Sequence, residues 1–204
     1  IPSESKPLAG LREVNRRVIG AYVEAEHHGR EVTLDVDAQL IETSKANARY
    51  CYDGCKAYQP IEVSWAETML VLADEFRQGN VPAGKDIKRV VDEAFAMLPP
   101  SEWRVKVRSD SAAYDQEMLD HWDGHRWGFA VSADMTPQRR GEIERLPADA
   151  WHLWKTERGG VIREWAEVAY APTRHYEKKD SQPYRYLAIR VRRQQGELFE
   201  DGAV

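Results

Sequence analysis

The chain has 204 residues, of which 29 are Lys or Arg and 34 are Asp or Glu, so its formal net charge is −5. Its hydrophobic content of 42%, with seven Trp and nine Tyr, excludes intrinsic disorder and favours one globular domain, or one domain with an insertion. Two cysteines exclude a disulfide scaffold, no apolar run approaches the ~20 residues of a membrane span, and the mild acidity argues against a strongly basic nucleic-acid-binding domain.

The N-terminal region is predicted to contain a polar tail, a helix and a strand. Residues 1–9 form the tail, and the helix ends near Gly29. The helix is predicted because four apolar residues recur on one helical face: Leu11, Val14, Val18 and Tyr22. Residues 32–40 then alternate strictly between apolar and polar side chains, which predicts a half-buried strand.

The next hundred residues alternate between strand and helix patterns. In chain order they predict a hairpin over 60–75, a helix over 87–98, a strand over 103–108, a short helix over 114–122 and a strand over 127–133. Three strands followed by helix–strand alternation imply an α/β fold, in which a mixed sheet is flanked by helices.

After residue 133 the pattern changes to β-rich. Thr136 and Pro137 are a helix start, with Thr as N-cap and Pro in the first turn, and that helix ends at Leu146. Three strand-like runs follow, over 151–155, 161–170 and 184–193. These strands predict a second subdomain that is inserted into or appended to the mixed sheet.

Acidic residues at the ends of the predicted strands are the candidate chemical groups. Asp35 and Asp37 share one face of the first strand, and Asp110 follows the strand over 103–108. If those two strands are neighbours, Asp37 and Asp110 converge, and two converging carboxylates favour a hard cation such as Mg²⁺. Spacing alone also allows another interpretation, in which Asp35 and Asp37 face solvent and Asp110 caps the next helix.

Several short segments, in this order, resemble the DDE transposases of bacterial insertion sequences, and most closely their group 1. The segments are 33–42, 56–60, 77–82, 108–115, 128–135 and 163–168, so the resemblance extends over roughly residues 30–200. It implies a ribonuclease-H-like fold: residues 1–30 would be an N-terminal tail and helix, 31–135 the core, and 136–204 a β-rich insertion. It also implies that the chain is truncated at both ends.

The resemblance implies three catalytic acids. Asp37 matches the first, with Asp35 as the alternative, although Gln39 stands where the family usually has Thr. Asp110 matches the second. For the third, Glu167 fits an Arg-x3-Glu spacing with Arg163, but 161–170 has the alternation of a strand and the family uses a helix. We therefore expect the third acid beyond Val204, with Glu167 as the candidate within the chain.

The implied activity is Mg²⁺-dependent DNA cleavage and strand transfer, in which the complete enzyme uses two ions and Mn²⁺ can substitute. We expect this fragment to fold but to be inactive alone. The alternatives are a metal-dependent nuclease of the same fold and a non-catalytic DNA-binding or assembly module derived from a transposase. The resemblance further implies self-association on DNA, no membrane partner, and a cytoplasmic location in the bacterial nucleoid.

Charge is distributed unevenly along the chain, so the net charge of −5 conceals an acidic region and a basic region. Residues 31–80 contain nine acids and four bases, whereas residues 172–193 contain seven bases and two acids. The seven bases are the predicted contacts to transposon-end and target DNA: Arg174, Lys178, Lys179, Arg185, Arg190, Arg192 and Arg193. An ordinary solvated pair of strands would explain the same basic residues.

Overall fold

A computed structural model describes residues 6–26, 30–169 and 184–193 of the chain. The backbone divides into two compact units, Ile1–Asp134 and Met135–Val204. No helix among the described residues combines the length and the apolar character that a membrane-spanning helix requires.

The first unit contains three α-helices and eight strands. In chain order they are α1 (Lys6–Ala25), β1 (Glu31–Ala38), β2 (Ile41–Glu42), β3 (Arg49–Tyr50), β4 (Lys56–Tyr58), β5 (Ile61–Trp65), β6 (Leu70–Glu75), α2 (Ile87–Ala96), β7 (Arg104–Ser109), α3 (Gln116–Gly124) and β8 (Gly128–Val131). A 3₁₀ turn, Ser111–Ala113, connects β7 to the segment before α3.

Five of these strands form one mixed sheet in the order β6-β5-β1-β7-β8. β5 and β6 are antiparallel to their neighbours, and β7 and β8 continue the sheet in parallel with β1. Numbered along the chain within this sheet, the spatial order is 3-2-1-4-5, with an antiparallel first half and a parallel second half. This strand order is that of the ribonuclease-H-like fold, so the predicted fold class is confirmed.

Alternating burial explains why the two central strands form. In β1 the side chains of Val32, Leu34 and Val36 are buried, and in β7 Val105 and Val107 are buried. Helix α2 contacts β1, β5 and β6, and its apolar residues are buried: Ile87, Val90, Val91 and Ala94. The opposite face of β1 and β7 is polar and carries the candidate acids.

Helix α1 differs from its prediction. It begins at Lys6, inside the predicted tail, and the predicted apolar face is mostly exposed, with Leu11 66% and Val14 58% accessible. The helix instead packs through Ile19, which is fully buried, and through Asn15, whose side-chain amide donates to the Val71 carbonyl oxygen at 2.9 Å. Of the four residues that predicted the helix, Tyr22 packs edge-on against Trp65, with ring centroids 6.2 Å apart, so the helix is confirmed although most of its predicted apolar face is exposed.

A small three-stranded sheet, in the order β2-β4-β3, was absent from the prediction. Its strands are two or three residues long, which is too short for an alternating pattern to be recognised. The sheet lies in the chain between β1 and β5.

The second unit contains α4 (Pro137–Glu144) and the strands β9 (His152–Glu157), β10 (Val161–Val168) and β11 (Tyr186–Arg193). The predicted N-cap is confirmed, because the Thr136 hydroxyl accepts a hydrogen bond from the Arg139 amide at 3.3 Å. The three predicted strands are also confirmed, and they form an antiparallel sheet in the order β11-β10-β9.

Candidate metal centre

The register between β1 and β7 determines the position of two of the candidate acids. These parallel strands are aligned residue for residue, and the last aligned pair is Val36 with Ser109. One residue further, Asp37 on β1 lies beside Asp110, the first residue after β7. Neighbouring strands are about 4.8 Å apart, so the register brings the backbones of Asp37 and Asp110 to adjacent positions.

Both side chains project from the polar face of the sheet. Two residues earlier on the same strands, Asp35 and Arg108 form a two-point ion pair, with oxygen–nitrogen distances of 2.8 and 2.5 Å. Side chains alternate along extended backbone, so Asp37 and Asp110 follow that pair on the same face. Asp110 retains extended backbone angles, with φ −73° and ψ −169°, and both aspartates are exposed.

Asp110 also caps the 3₁₀ turn that follows it. One carboxylate oxygen, Oδ1, accepts a hydrogen bond from the Ala112 amide at 2.9 Å. The capping role that spacing suggested is therefore present. A carboxylate has two oxygens and about four lone pairs, so the cap leaves Oδ2 able to bind a cation.

Further carboxylates extend the row across the sheet. The antiparallel partner of Asp37 on β5 is Glu62, and the partner of Glu62 on β6 is Asp74. The residues Asp74, Glu62, Asp37 and Asp110 thus lie on four adjacent strands at one level of the polar face, and we call them the carboxylate row. The sequence analysis missed Glu62 and Asp74, because only the strand register places them beside Asp37.

Among the described residues, the carboxylate row has no basic partner. None of the ion pairs among the described residues includes a member of the row, and the nearest polar contact of Asp37 is the Gln39 amide at 3.4 Å. The other acids on this face of β1 are neutralised, Glu31 by Lys106 and Asp35 by Arg108. Uncompensated negative charge is therefore concentrated at the end of β1 where Asp37 lies, and it favours a cation there.

The chemistry of this row fits a hard divalent cation, although the geometry is incomplete. Carboxylate oxygens are the ligands that Mg²⁺ prefers, and Mg²⁺ is commonly bound by one or two carboxylates plus water or substrate phosphate. Among residues 6–26, 30–169 and 184–193, no three His, Cys, Asp or Glu side chains converge closely enough to hold a metal ion. Asp37 and Asp110 therefore remain a candidate pair of ligands that the strand register brings to adjacent positions.

Two other predicted site residues are engaged elsewhere. Arg108 holds the pKa of the Asp35 carboxyl below its usual value through their hydrogen bonds, and this pairing sets Asp35 apart from Asp37. Glu167 lies on β10, in the strand that its alternation predicted, and pairs with Arg185 at 2.9 Å. The predicted strand over this region is therefore confirmed.

Only some of the predicted DNA-contacting residues lie in the part of the chain that the structure describes. Arg174, Lys178 and Lys179 lie outside the described residues. Arg190 and Arg192 both bind Glu164, which is only 8% exposed and whose carboxyl pKa they lower. Arg193 is aligned with Val161, one position along the strand from Arg192, so its side chain leaves the opposite face of the sheet.

Comparisons with known proteins place similar folds among transposases. No protein-family profile matches the chain, and no curated protein sequence does. The catalytic domain of Mos1 mariner transposase is 12% identical with a TM-score of 0.40, over 68% of each chain. A piggyBac transposase synaptic complex with hairpin DNA is 11% identical with a TM-score of 0.39, over 78% of this chain and 32% of that one.

A third structure, the Mos1 strand transfer complex, is 15% identical with a TM-score of 0.33, over 62% of this chain and 42% of that one. The chain therefore spans less than half of the transposase chains in these two DNA-containing complexes. At these low TM-scores, the fold assignment depends on the strand order and registers of the chain itself.

The Asp35–Arg108 pair generates a testable pH dependence. Replacing Arg108 with Met removes the cation, so the titration midpoint of Asp35, followed by carboxyl ¹³C shifts, is expected to rise toward the ordinary value of about 3.9. Because the folded-state pKa is the lower one, the pair contributes stability above about pH 4 and loses it as pH falls through the folded midpoint. Lys106→Met, which removes a cation bonded to Glu31, is the control, and an Asp35 midpoint unmoved by Arg108→Met would contradict the assignment.

Proposed function

We propose that the chain carries the catalytic core of a DDE transposase of bacterial insertion sequences, in which Asp37 and Asp110 are the first two acids. The observation that supports this most directly is the carboxylate row, which lacks basic partners at the end of the central strand of a ribonuclease-H-like sheet. Acids held rigidly by adjacent strands suit metal-dependent phosphodiester chemistry, because the ligands are positioned before the metal and the DNA bind.

Asp37 and Asp110 would hold the metal through their outward-facing oxygens. When bound, Mg²⁺ supplies activation of the attacking water or 3′-hydroxyl and stabilises the leaving oxygen. The chain's own contribution is to orient the ligands. The β1–β7 register fixes the spacing of the two backbones, and the Ala112 amide fixes one oxygen of Asp110. The neighbouring Glu62 adds negative charge, which favours a divalent cation over a monovalent one.

The third acid of the family is proposed to lie outside the described residues. Glu167, the candidate within the chain, is engaged with Arg185 and lies on a strand. With two of three acids, metal affinity is expected to be weak, and the 204-residue chain is expected not to cut DNA. The lack of a three-residue metal cluster among the described residues equally favours the second candidate, a non-catalytic DNA-binding or assembly module derived from a transposase.

The second unit is proposed to contact DNA phosphates. Two of its described arginines, Arg190 and Arg192, bind Glu164, which reduces their net charge but also holds the guanidinium groups in place. The Arg190 guanidinium also lies 4.0 Å from the centre of the Trp151 ring. We propose that the basic residues of 172–193 together track a DNA backbone, and that the protein self-associates when it binds DNA.

Metal binding at the carboxylate row separates these proposals. Adding Mn²⁺ to ¹⁵N-labelled protein is expected to broaden the amide signals that flank Asp37 and Asp110. Asp37→Asn and Asp110→Asn are each expected to weaken Mg²⁺ binding by at least about tenfold, because each removes a direct ligand. Asp35→Asn is the matched control and should leave the metal affinity unchanged.

Two results would count against parts of this account. Broadening that is absent or that survives both Asn variants would leave the non-catalytic module as the better description. Mg²⁺-dependent cleavage of DNA by the 204-residue chain, lost in Asp110→Asn, would instead show that the third ligand is present within it.

DNA binding by the second unit is tested through its salt dependence. We expect the double variant Arg190→Gln/Arg192→Gln, which removes two arginines from one face of β11 that share Glu164, to bind a fluorescent random-sequence duplex more weakly. The slope of log K against log salt should fall by about 1.8, because two phosphate contacts are lost at about 0.9 each. The control, Arg16→Gln/Arg17→Gln, removes two arginines that bind Glu13 on α1. Equal slopes for the two double variants would refute the assignment of this surface.

A further inference from the structure

Arg77 is a buried arginine that no carboxylate neutralises among the described residues. Arg77 lies two residues after the end of β6 and is only 4% exposed. The guanidinium donates Nε–H to the Gln59 carbonyl oxygen at 2.9 Å, and Nη1–H to the carbonyls of Lys85 at 2.8 Å and Ala83 at 3.3 Å. Burial lowers the pKa of Arg77, and Glu75 and Asp86 act on it only from a distance.

A buried cation bonded only to carbonyl oxygens is costly to maintain, so its contacts call for an explanation. All three acceptors belong to the segment that contains Arg77 or to the strand end beside it. Two of them, Ala83 and Lys85, flank Gly84. Arg77 therefore closes residues 77–85 into a loop by binding its far end.

The near end of this loop is fixed to the small sheet. The Gly79 amide donates to the Ala57 carbonyl oxygen at 2.8 Å, and Gln78 pairs with Tyr58. A Cβ atom added at Gly79 would lie 2.6 Å from the same carbonyl oxygen, so a side chain is excluded there. The loop consequently starts from a rigid anchor beside the edge of the main sheet.

The far end of the loop contacts the turn that follows Asp110. A Cβ atom added at Gly84 would lie 2.5 Å from the Ala112 carbonyl oxygen, so the loop backbone packs directly on that residue. The amide of Ala112 donates to Asp110 Oδ1 at 2.9 Å. A single residue, Ala112, thus contacts both the loop that Arg77 closes and the second acid of the candidate metal centre.

We infer that Arg77 is a positioning residue for Asp110: by binding the carbonyls on both sides of Gly84, it holds the loop against Ala112 and so fixes the amide that orients the Asp110 carboxylate. The consequence for metal binding rests on the proposed function, whereas the effect on Ala112 does not. Arg77 is buried and its described hydrogen bonds go to the carbonyls of Gln59, Ala83 and Lys85, so it acts on Asp110 through the loop.

The test uses four variants of the full 204-residue chain. Arg77→Met removes the donors and keeps most of the apolar stem of the side chain, and Arg77→Lys keeps the charge and part of the donor capacity. Gly84→Ala leaves Arg77 intact and pushes on Ala112 from the other side. Gly124→Ala, at a glycine with open space around its Cβ position, is the control.

The first readout needs no metal. We expect hydrogen exchange of the Ala112 amide, measured by NMR, to become about tenfold faster in Arg77→Met and in Gly84→Ala, because the bond to Asp110 is weakened. Arg77→Lys should give a smaller effect, and Gly124→Ala none. The second readout is the affinity for Mg²⁺, measured from the shifts of the Asp37 and Asp110 amide signals. It should fall about tenfold in Arg77→Met and Gly84→Ala, which is the effect expected when a residue that orients a metal ligand is lost.

The outcomes separate the two proposals. If the Arg77→Met protein folds and the hydrogen exchange of its Ala112 amide is unchanged, the positioning role is overturned, whether or not Mg²⁺ affinity changes. If Arg77→Met fails to fold, unchanged Ala112 exchange in Gly84→Ala and Arg77→Lys overturns it in the same way. Wild-type protein whose Asp37 and Asp110 amides do not respond to Mg²⁺ would overturn the proposed function, while the exchange of Ala112 still decides the role of Arg77.

Discussion

The parallel register of β1 with β7 is the constraint on which the candidate site depends. It aligns the end of one strand with the end of the other, so two aspartates that are 73 positions apart in the chain become lateral neighbours. A shift of one residue in this pairing would move Asp110 to the level of Val36 or of Ala38. The buried residues Val32, Leu34 and Val107 hold the register, because a slip would expose them.

Charge compensation then separates structural acids from candidate ligands on the same sheet face. Near the start of β1 and at its middle, each carboxylate faces a basic side chain from β7. At its end, the four carboxylates of the row have no basic partner among the described residues, so a cation can relieve the repulsion among them. The loop that Arg77 closes packs on Ala112, next to Asp110, at this end of the sheet. Through this contact the buried Arg77 affects the geometry of Asp110.

Periodicity predicted most of the fold but little of the electrostatics of the site. The alternating and helical patterns gave every strand of the main sheet, both packed helices and the strand identity of the region around Glu167. They could not distinguish Asp35 from Asp37, since both share one face; the difference comes from Arg108 on another strand. Glu62 could not be predicted as a neighbour of Asp37 either, because only the pairing of β1 with β5 brings the two residues together. The helical pattern predicted α1 but not its packing, because the helix is buried through Ile19, which lies outside the four-residue pattern, and bonds to β6 through the polar Asn15.

The most direct measurement of the central claim is the position of a bound metal. Crystals of the chain soaked in Mn²⁺, with anomalous difference density collected, are predicted to show an ion bridging the carboxylates of Asp37 and Asp110, with metal–oxygen distances of about 2.2 Å. Density at Asp35, or density at another site with none between Asp37 and Asp110, would contradict the account.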